Sequence, residues 1–180
     1  MTTEFSSPYQ ALTVLAELSR QRAVGLPQQE TFEETWTGVG FRLAGQALVS
    51  PMHQVTEILT PPHYTRLPGV KSWVLGVANV RGRLVPLVDL GAFLGLPTRG
   101  AGRSQRVLIV EQGDLLVGLL VDQVLGMQHY RTQAHQESSD TLPKALRPLV
   151  DGGYQNNNEL WHLFSMERLI SQEQFMQVAA

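Results

Sequence analysis

Behind Ser7, a good N-cap, and Pro8, a residue suited to the first helical position, Ala11, Val14, Leu15 and Leu18 recur three to four residues apart. That period predicts a helix, which Gly25 and Pro27 end. The acidic stretch QQETFEETW has no regular apolar spacing and reads as a connector. From there the period falls to two. Phe41 and Leu43 alternate with polar neighbours, Ala44-Gly45-Gln46 supplies a turn, and Ala47, Leu48 and Val49 return, which predicts a hairpin. Pro51 lacks a ladder donor, so a bulge or strand end is expected there. TPPHYTRLPGV, with three prolines, reads as loop.

Next, WVLGVANVRGRLVPLVDL places two apolar runs on either side of Arg81-Gly82, where the glycine accepts the positive φ of a tight turn. Asp89 is placed to cap a short helix over GAFLGL that Pro97 ends, and PTRGAGRSQ is a basic surface loop. RVLIVEQGDLLVGLLVDQV forms a further Val- and Leu-rich hairpin turning at Gly113-Asp114. The polar stretch HYRTQAHQESSDTLPKALRP is expected to cross the surface. LVDGGYQNNNELWHLFS then gives two short strands around an Asn-rich turn, and MERLISQEQFMQVAA closes the chain as a helix.

The order of these pieces repeats. FRLAGQALVSPMHQVTEIL lies on VLIVEQGDLLVGLLVDQVLGM with Gln54-Val55 on Gln123-Val124, and LVDLGAFL lies on LFSMERLI with Leu87 on Leu163. Two alignments in one order suggest a duplicated unit of short strands ending in a small helix. Short, closely spaced hairpins favour small closed barrels, which protect their edges, so two packed barrels are expected.

Composition narrows the function. A chain of 180 residues is long enough for a full domain or two small ones sharing a core. A net charge of −2 disfavours binding to nucleic-acid backbone, and the absence of cysteine excludes disulfides, thiolate nucleophiles and sulfur-ligated zinc. No apolar run is long enough to span a membrane, and MTTEFSSPYQ lacks the basic flank and apolar core of a signal peptide. A cytoplasmic location is the expectation. None of His53, His63, His129, His135 and His162 forms a metal-binding motif, and there is no nucleophile elbow or phosphate loop. Asp89, Asp122 and Glu57 sit at strand ends, where a carboxylate serves as a general base or, more commonly, caps a turn or pairs with an arginine. The expectation is therefore a protein that is not an enzyme, with no catalytic residue, no metal and no cofactor. The segment Asn79-Val80-Arg81-Gly82-Arg83 stands out, with an amide and two guanidiniums at a hairpin tip between apolar strands. It is suited to a partner's carboxylates or backbone, and equally to being a solvated turn.

The blocks FRLAGQ, VTEIL, LPGVKSWVLGVANVRGRLVPLVDL, LGLP and VGLLVDQVLGM resemble, in order, the CheW-like coupling proteins of bacterial chemotaxis systems. The resemblance spans about residues 40–170 and is most specific over residues 76–90. It implies a mainly β, CheW-like fold of two intertwined SH3-like five-stranded barrels with an N-terminal and a C-terminal helix. Residues 1–34 would be an extension and connector and residues 35–178 the domain, with a first barrel mainly over 36–96 and a second mainly over 104–170. It further implies an adaptor that joins the regulatory domain of a CheA-type histidine kinase to the cytoplasmic tip of a chemoreceptor. By motif match, Asn79, Val80, Arg81 and Gly82 would contact the receptor, and Val55 and Glu57 the receptor or the kinase. Two positions depart from the family pattern: Ala47-Leu48-Val49 stands for Tyr-Gly-Ile, and Ser165 for an Asp before the last helix.

The long N-terminal extension points to the pilus-type, twitching-motility branch. Leu12, Leu15 and Leu18 are read as covering a patch of the barrels, with an extra docking helix as the alternative. A small-barrel binder of RNA or of the transcription machinery is the competing function, opposed by an aromatic share of 7% and the negative charge.

Overall fold

The computed structural model describes residues 8–22, 35–97, 103–136, 142–156 and 159–180. The chain divides into two units, Met1–Phe32 and Glu33–Ala180. In the first, Pro8–Arg22 form α1, starting where Ser7 and Pro8 predict, and Tyr9, Leu12, Val14 and Leu18 are exposed. The expected helix stop at Gly25 and Pro27, the acidic connector up to residue 34, the Leu15 side chain and residues 98–102 of the basic loop lie outside the described residues.

The second unit runs β1 (Thr35–Leu43), β2 (Gln46–Pro51), β3 (Glu57–Leu59), β4 (Tyr64–Thr65), β5 (Val74–Val80), β6 (Arg83–Asp89), α2 (Leu90–Phe93), β7 (Arg106–Gln112), β8 (Leu115–Val121), β9 (Gln123–Arg131), β10 (His135–Gln136), β11 (Val150–Asn156), β12 (Glu159–Phe164), α3 (Met166–Ile170) and α4 (Glu173–Met176). The hairpins turn where the apolar runs predict. β2 ends at Pro51, and Met52–Gln54 form a single 3-10 turn, because a proline cannot continue the ladder.

Three segments differ from expectation. The proline-rich loop contains β4. The stretch after the third hairpin is not a simple surface crossing but holds β9 and β10; in β9 only Tyr130 is fully buried, so the strand leaves no apolar alternation to read. The closing helix is two short helices, because Ile170 and Phe175 are both buried and too far apart round one helix to share a face.

The strands form two six-stranded sheets, ordered β10-β11-β12-β2-β1-β9 and β3-β7-β8-β6-β5-β4, each with a two-residue strand at one edge. Each sheet wraps a cluster of its own. Ala47, Val49, Tyr130, Tyr154 and Trp161 fill the first, where Trp36 packs on Tyr130 and Tyr154 at 5.2 and 5.0 Å. Ala78, Val85, Leu87, Val107 and Ile109 fill the second, with Leu59 of the edge strand β3 and Val80 of β5, four strands away in the sheet order. A larger core lies between the barrels and draws on both, including Phe41, Leu48, Leu90, Leu108, Leu119 and Phe164.

Sheet membership does not follow the expected division into residues 36–96 and 104–170. The first hairpin, β1–β2, joins β9–β12, and β3–β6 join the β7–β8 hairpin. The cause is a pair of parallel contacts, Val49 opposite Leu163 and Leu87 opposite Gly118. These obey the sequence repeat: the offset that lays Gln54 on Gln123 carries Val49 to Gly118, and the second offset carries Leu87 to Leu163. Antiparallel registers follow too, Phe41 opposite Leu48 matching Val110 opposite Val117, and Ala78 opposite Val85 matching Tyr154 opposite Trp161. The caps also match. Asp89 accepts from Ala92 N at 2.9 Å and Ser165 accepts from Arg168 N at 3.2 Å, so serine does the work of the departed aspartate.

The crossing requires a residue without a side chain. A Cβ at Gly118 would lie 2.5 Å from Leu87 Cδ2 and 2.8 Å from Val107 Cγ1, both in the packed core. Gly118→Val is expected to cost about 1–3 kcal/mol, read as a lower urea midpoint at unchanged slope. A second expectation concerns His162, buried on β12 with Nδ1 unpartnered, whose pKa burial lowers from 6.5. The unfolded chain then takes up this proton at a higher pH than the native one. The His162 contribution to stability is level above the ordinary imidazole value and is lost as the pH falls below about 6.5. His162→Leu is expected to flatten that acid slope in urea titrations across pH 5 to 8.

Candidate protein-docking site

The β5–β6 hairpin carries the conspicuous tip. Arg81 and Gly82 have φ of 52° and 83°, the two consecutive left-handed residues of a turn that matches strand twist. Asn79 Oδ1 accepts from Gly82 N at 2.8 Å and closes it. An arginine in this backbone region is strained relative to glycine or asparagine. Its guanidinium, 80% exposed, donates from Nη2 to Glu57 Oε1 at 2.7 Å. Glu57 belongs to β3, so the contact ties the hairpin tip to the far edge strand of the same sheet.

A second pair lies alongside. Arg83 donates from Nη1 and Nη2 to the Glu111 carboxylate at 3.2 and 2.8 Å, and these hydrogen bonds hold the Glu111 carboxyl below its usual range. Next to Arg83, Leu84 is 75% exposed, and Ile58 on β3 is also exposed. The hairpin tip and its neighbours thus expose guanidiniums and carboxylates, with exposed Leu84 and Ile58 at the adjacent strand positions. Exposed ion pairs of this kind contribute little to folding.

Of the residues singled out from the sequence, the structure brings together Asn79, Arg81, Gly82 and Glu57. Val80 is half-buried and packs into the barrel, and Val55 packs against the central core with its N–H donating to Met52 O at 3.2 Å. Val85 and Leu87 are core, whereas Leu84 is surface. Leu84, Val85 and Leu87 were open in the sequence between binding surface and core; Glu111 and the exposed Ile58 went unnoticed, the one signal being the place of Glu111 beside the Gly113 turn. The other carboxylates at strand ends bind backbone, Asp89 at the α2 cap and Asp122 by accepting from Ala44 N at 2.7 Å. Among the described residues no group of three or more His, Asp or Glu side chains is arranged to hold a metal. His129 contacts Thr37, and His135 contacts the Asp151 carbonyl.

Among the described residues the tip chemistry occurs once. Under the repeat, Arg83 and Glu111 correspond to Glu159 and Arg42, which form the same two-point ion pair with the charges exchanged, the nearest atoms 2.7 Å apart. Arg81 and Glu57 instead correspond to Asn157, outside the described residues, and Gly126.

Comparison with known proteins agrees with this architecture. The family model for the CheW-like domain matches residues 37–174. Protein PilI of Pseudomonas aeruginosa is 42% identical over 177 residues, covering 98% of this chain and 99% of that protein. Chemotaxis protein CheW of Helicobacter pylori is 26% identical over 162 residues, covering 88% and 95%. The crystal structure of the scaffolding protein TtCheW from Thermoanaerobacter tengcongensis superposes with a TM-score of 0.67 at 22% identity, covering 78% of this chain and 96% of that one, a likeness of fold. No described helix is long and apolar enough to cross a membrane.

If the Arg81 side chain is retained despite its backbone, replacing it should relieve strain. Arg81→Gly is expected to leave stability unchanged or raise it by up to about 1 kcal/mol in thermal melts, whereas Asn79→Ala should lower it by about 0.5–1.5 kcal/mol. A clear loss of stability in Arg81→Gly would show that the Glu57 contact holds the barrel together.

Proposed function

The chain belongs to the CheW-like domain family, and from that premise we propose that it is the non-enzymatic adaptor joining a chemoreceptor's cytoplasmic tip to the regulatory domain of a CheA-type histidine kinase. The observation that carries the reading is Arg81, which occupies an unfavourable backbone conformation while its exposed side chain contributes little to folding. A group kept at such a cost is kept for something outside the fold. Asn79 and Gly82 set the turn, Val80 seats it on the barrel, and the exposed guanidinium meets the receptor.

Glu57 belongs to the receptor face in this reading. Its carboxylate takes one N–H of Arg81 and leaves the others to a partner's carboxylates or carbonyls. Val55 acts through packing, by fixing the chain that leads into β3. The kinase occupies a separate surface, as a coupling role demands. Modest affinity at each face suffices, because simultaneous engagement raises the effective concentration. The likeness to PilI over nearly the whole of both chains supports the pilus-type branch, in a pathway controlling type IV pili and twitching motility. A cytoplasmic location follows from those partners.

Arg81→Glu is expected to weaken receptor-tip association about tenfold or more, while the melting temperature and the complex with the kinase regulatory domain are kept. Glu57→Gln should act in the same direction with a smaller effect. Sedimentation of each variant with each partner separately is the check, and equal loss of both partners would overturn the assignment.

A further inference from the structure

We propose that the groove at the start of β5 is a second docking site, for an acidic protein segment carrying an apolar anchor. The groove, of about 260 Å³, is lined by Arg66, Lys71 and Ser72, by Leu67, whose side chain is exposed, and by Val70 and the start of β5. On the strands, Arg42, Arg81 and Arg83 each engage a carboxylate, as Arg168 does on α3. Arg66 and Lys71 have no ion pair among the described residues. Two unpaired cations in a groove that also exposes Leu67 complement a segment in which Asp or Glu flanks Leu or a similar side chain.

The walls are preformed. Lys71 N donates to Val178 O at 3.0 Å and Val74 N donates to Lys71 O at 2.9 Å. Between them Trp73 is buried against Phe93 and Phe175, with ring centroids 5.0 and 6.1 Å away. On the other side Gly76, at φ 144°, passes so close to Thr65 that a Cβ would strike its carbonyl, which holds the Arg66 backbone against β5. A groove so held loses little entropy when it is filled. A nucleic acid is the poorer occupant, since two cations on a chain of net charge −2 neutralise too few phosphates.

The groove lies at the opposite end of β5 from the Arg81 tip, about 20 Å away at strand rise. Both surfaces are therefore open to simultaneous occupation, and the groove is independent of the receptor assignment.

The test uses the full chain and the acetylated peptide Glu-Asp-Leu-Leu-Asp-Glu, with Gln-Asn-Leu-Leu-Asn-Gln as its uncharged counterpart, followed by amide chemical shifts. The acidic peptide is expected to shift Leu67, Val70 and Leu75, to bind about tenfold more weakly to Arg66→Glu/Lys71→Glu, and to bind unchanged to Arg81→Glu. Arg66→Ala/Lys71→Ala, checked by its melt, keeps the result readable if charge reversal disturbs the fold. Equal binding of the two peptides, shifts away from the groove, capture of phosphatidylserine vesicles in place of the peptide, or self-association mediated by Arg66 and Lys71 would each overturn the proposal.

Discussion

The architecture depends on two parallel strand contacts, β2 with β12 and β6 with β8. Each takes a strand from one copy of the repeat and lays it against a strand from the other, so neither barrel closes from a contiguous half of the chain. Parallel neighbours need a long connection between them: the whole of the other sheet, β3–β8, lies between β2 and β12, and α2 with β7 lies between β6 and β8. Close approach at the crossing demands Gly118, and the central core that seals it takes Phe41, Leu48, Leu108, Leu119 and Phe164 from both barrels. The two barrels consequently stand or fall together, and each can present a surface to a partner without a hinge between them.

That shared core leaves the hairpin tips free of structural duty. At the β5–β6 tip the backbone is strained at Arg81 and the ion pairs are solvated, which supports the proposed docking role. The pseudo-equivalent positions show what duplication followed by divergence does. The two-point ion pair at the hairpin base is retained with its charges exchanged, as Arg83–Glu111 and Arg42–Glu159, which preserves the geometry and reverses the local field. The Glu57–Arg81 pair has no charged counterpart under the repeat, since the equivalent positions are Gly126 and Asn157.

The hairpins were legible in the sequence because apolar alternation and Gly-containing turns act within a few residues of each other. The duplication was legible as well, and its two offsets reproduce the registers to the residue. The exchange of hairpins between barrels was not, since it rests on the pairing of Val49 with Leu163 and Leu87 with Gly118, which no local pattern announces. β9 escaped because it is solvated along most of its length, and the break between α3 and α4 because the burial of Phe175 against Trp73 and Phe93 is a long-range event. At the site, the turn residues declared themselves by composition. The partnership of Arg81 with Glu57 required the fold, because the two meet only through closure of the sheet.

The proposed coupling role requires one molecule to engage receptor and kinase together. Sedimentation velocity of a mixture of this chain, a soluble receptor tip and the regulatory domain of the kinase from the same organism tests it most directly. The account predicts a species containing all three, larger than either binary complex. Mutually exclusive binding, with only binary complexes at saturating concentrations of both partners, would contradict it.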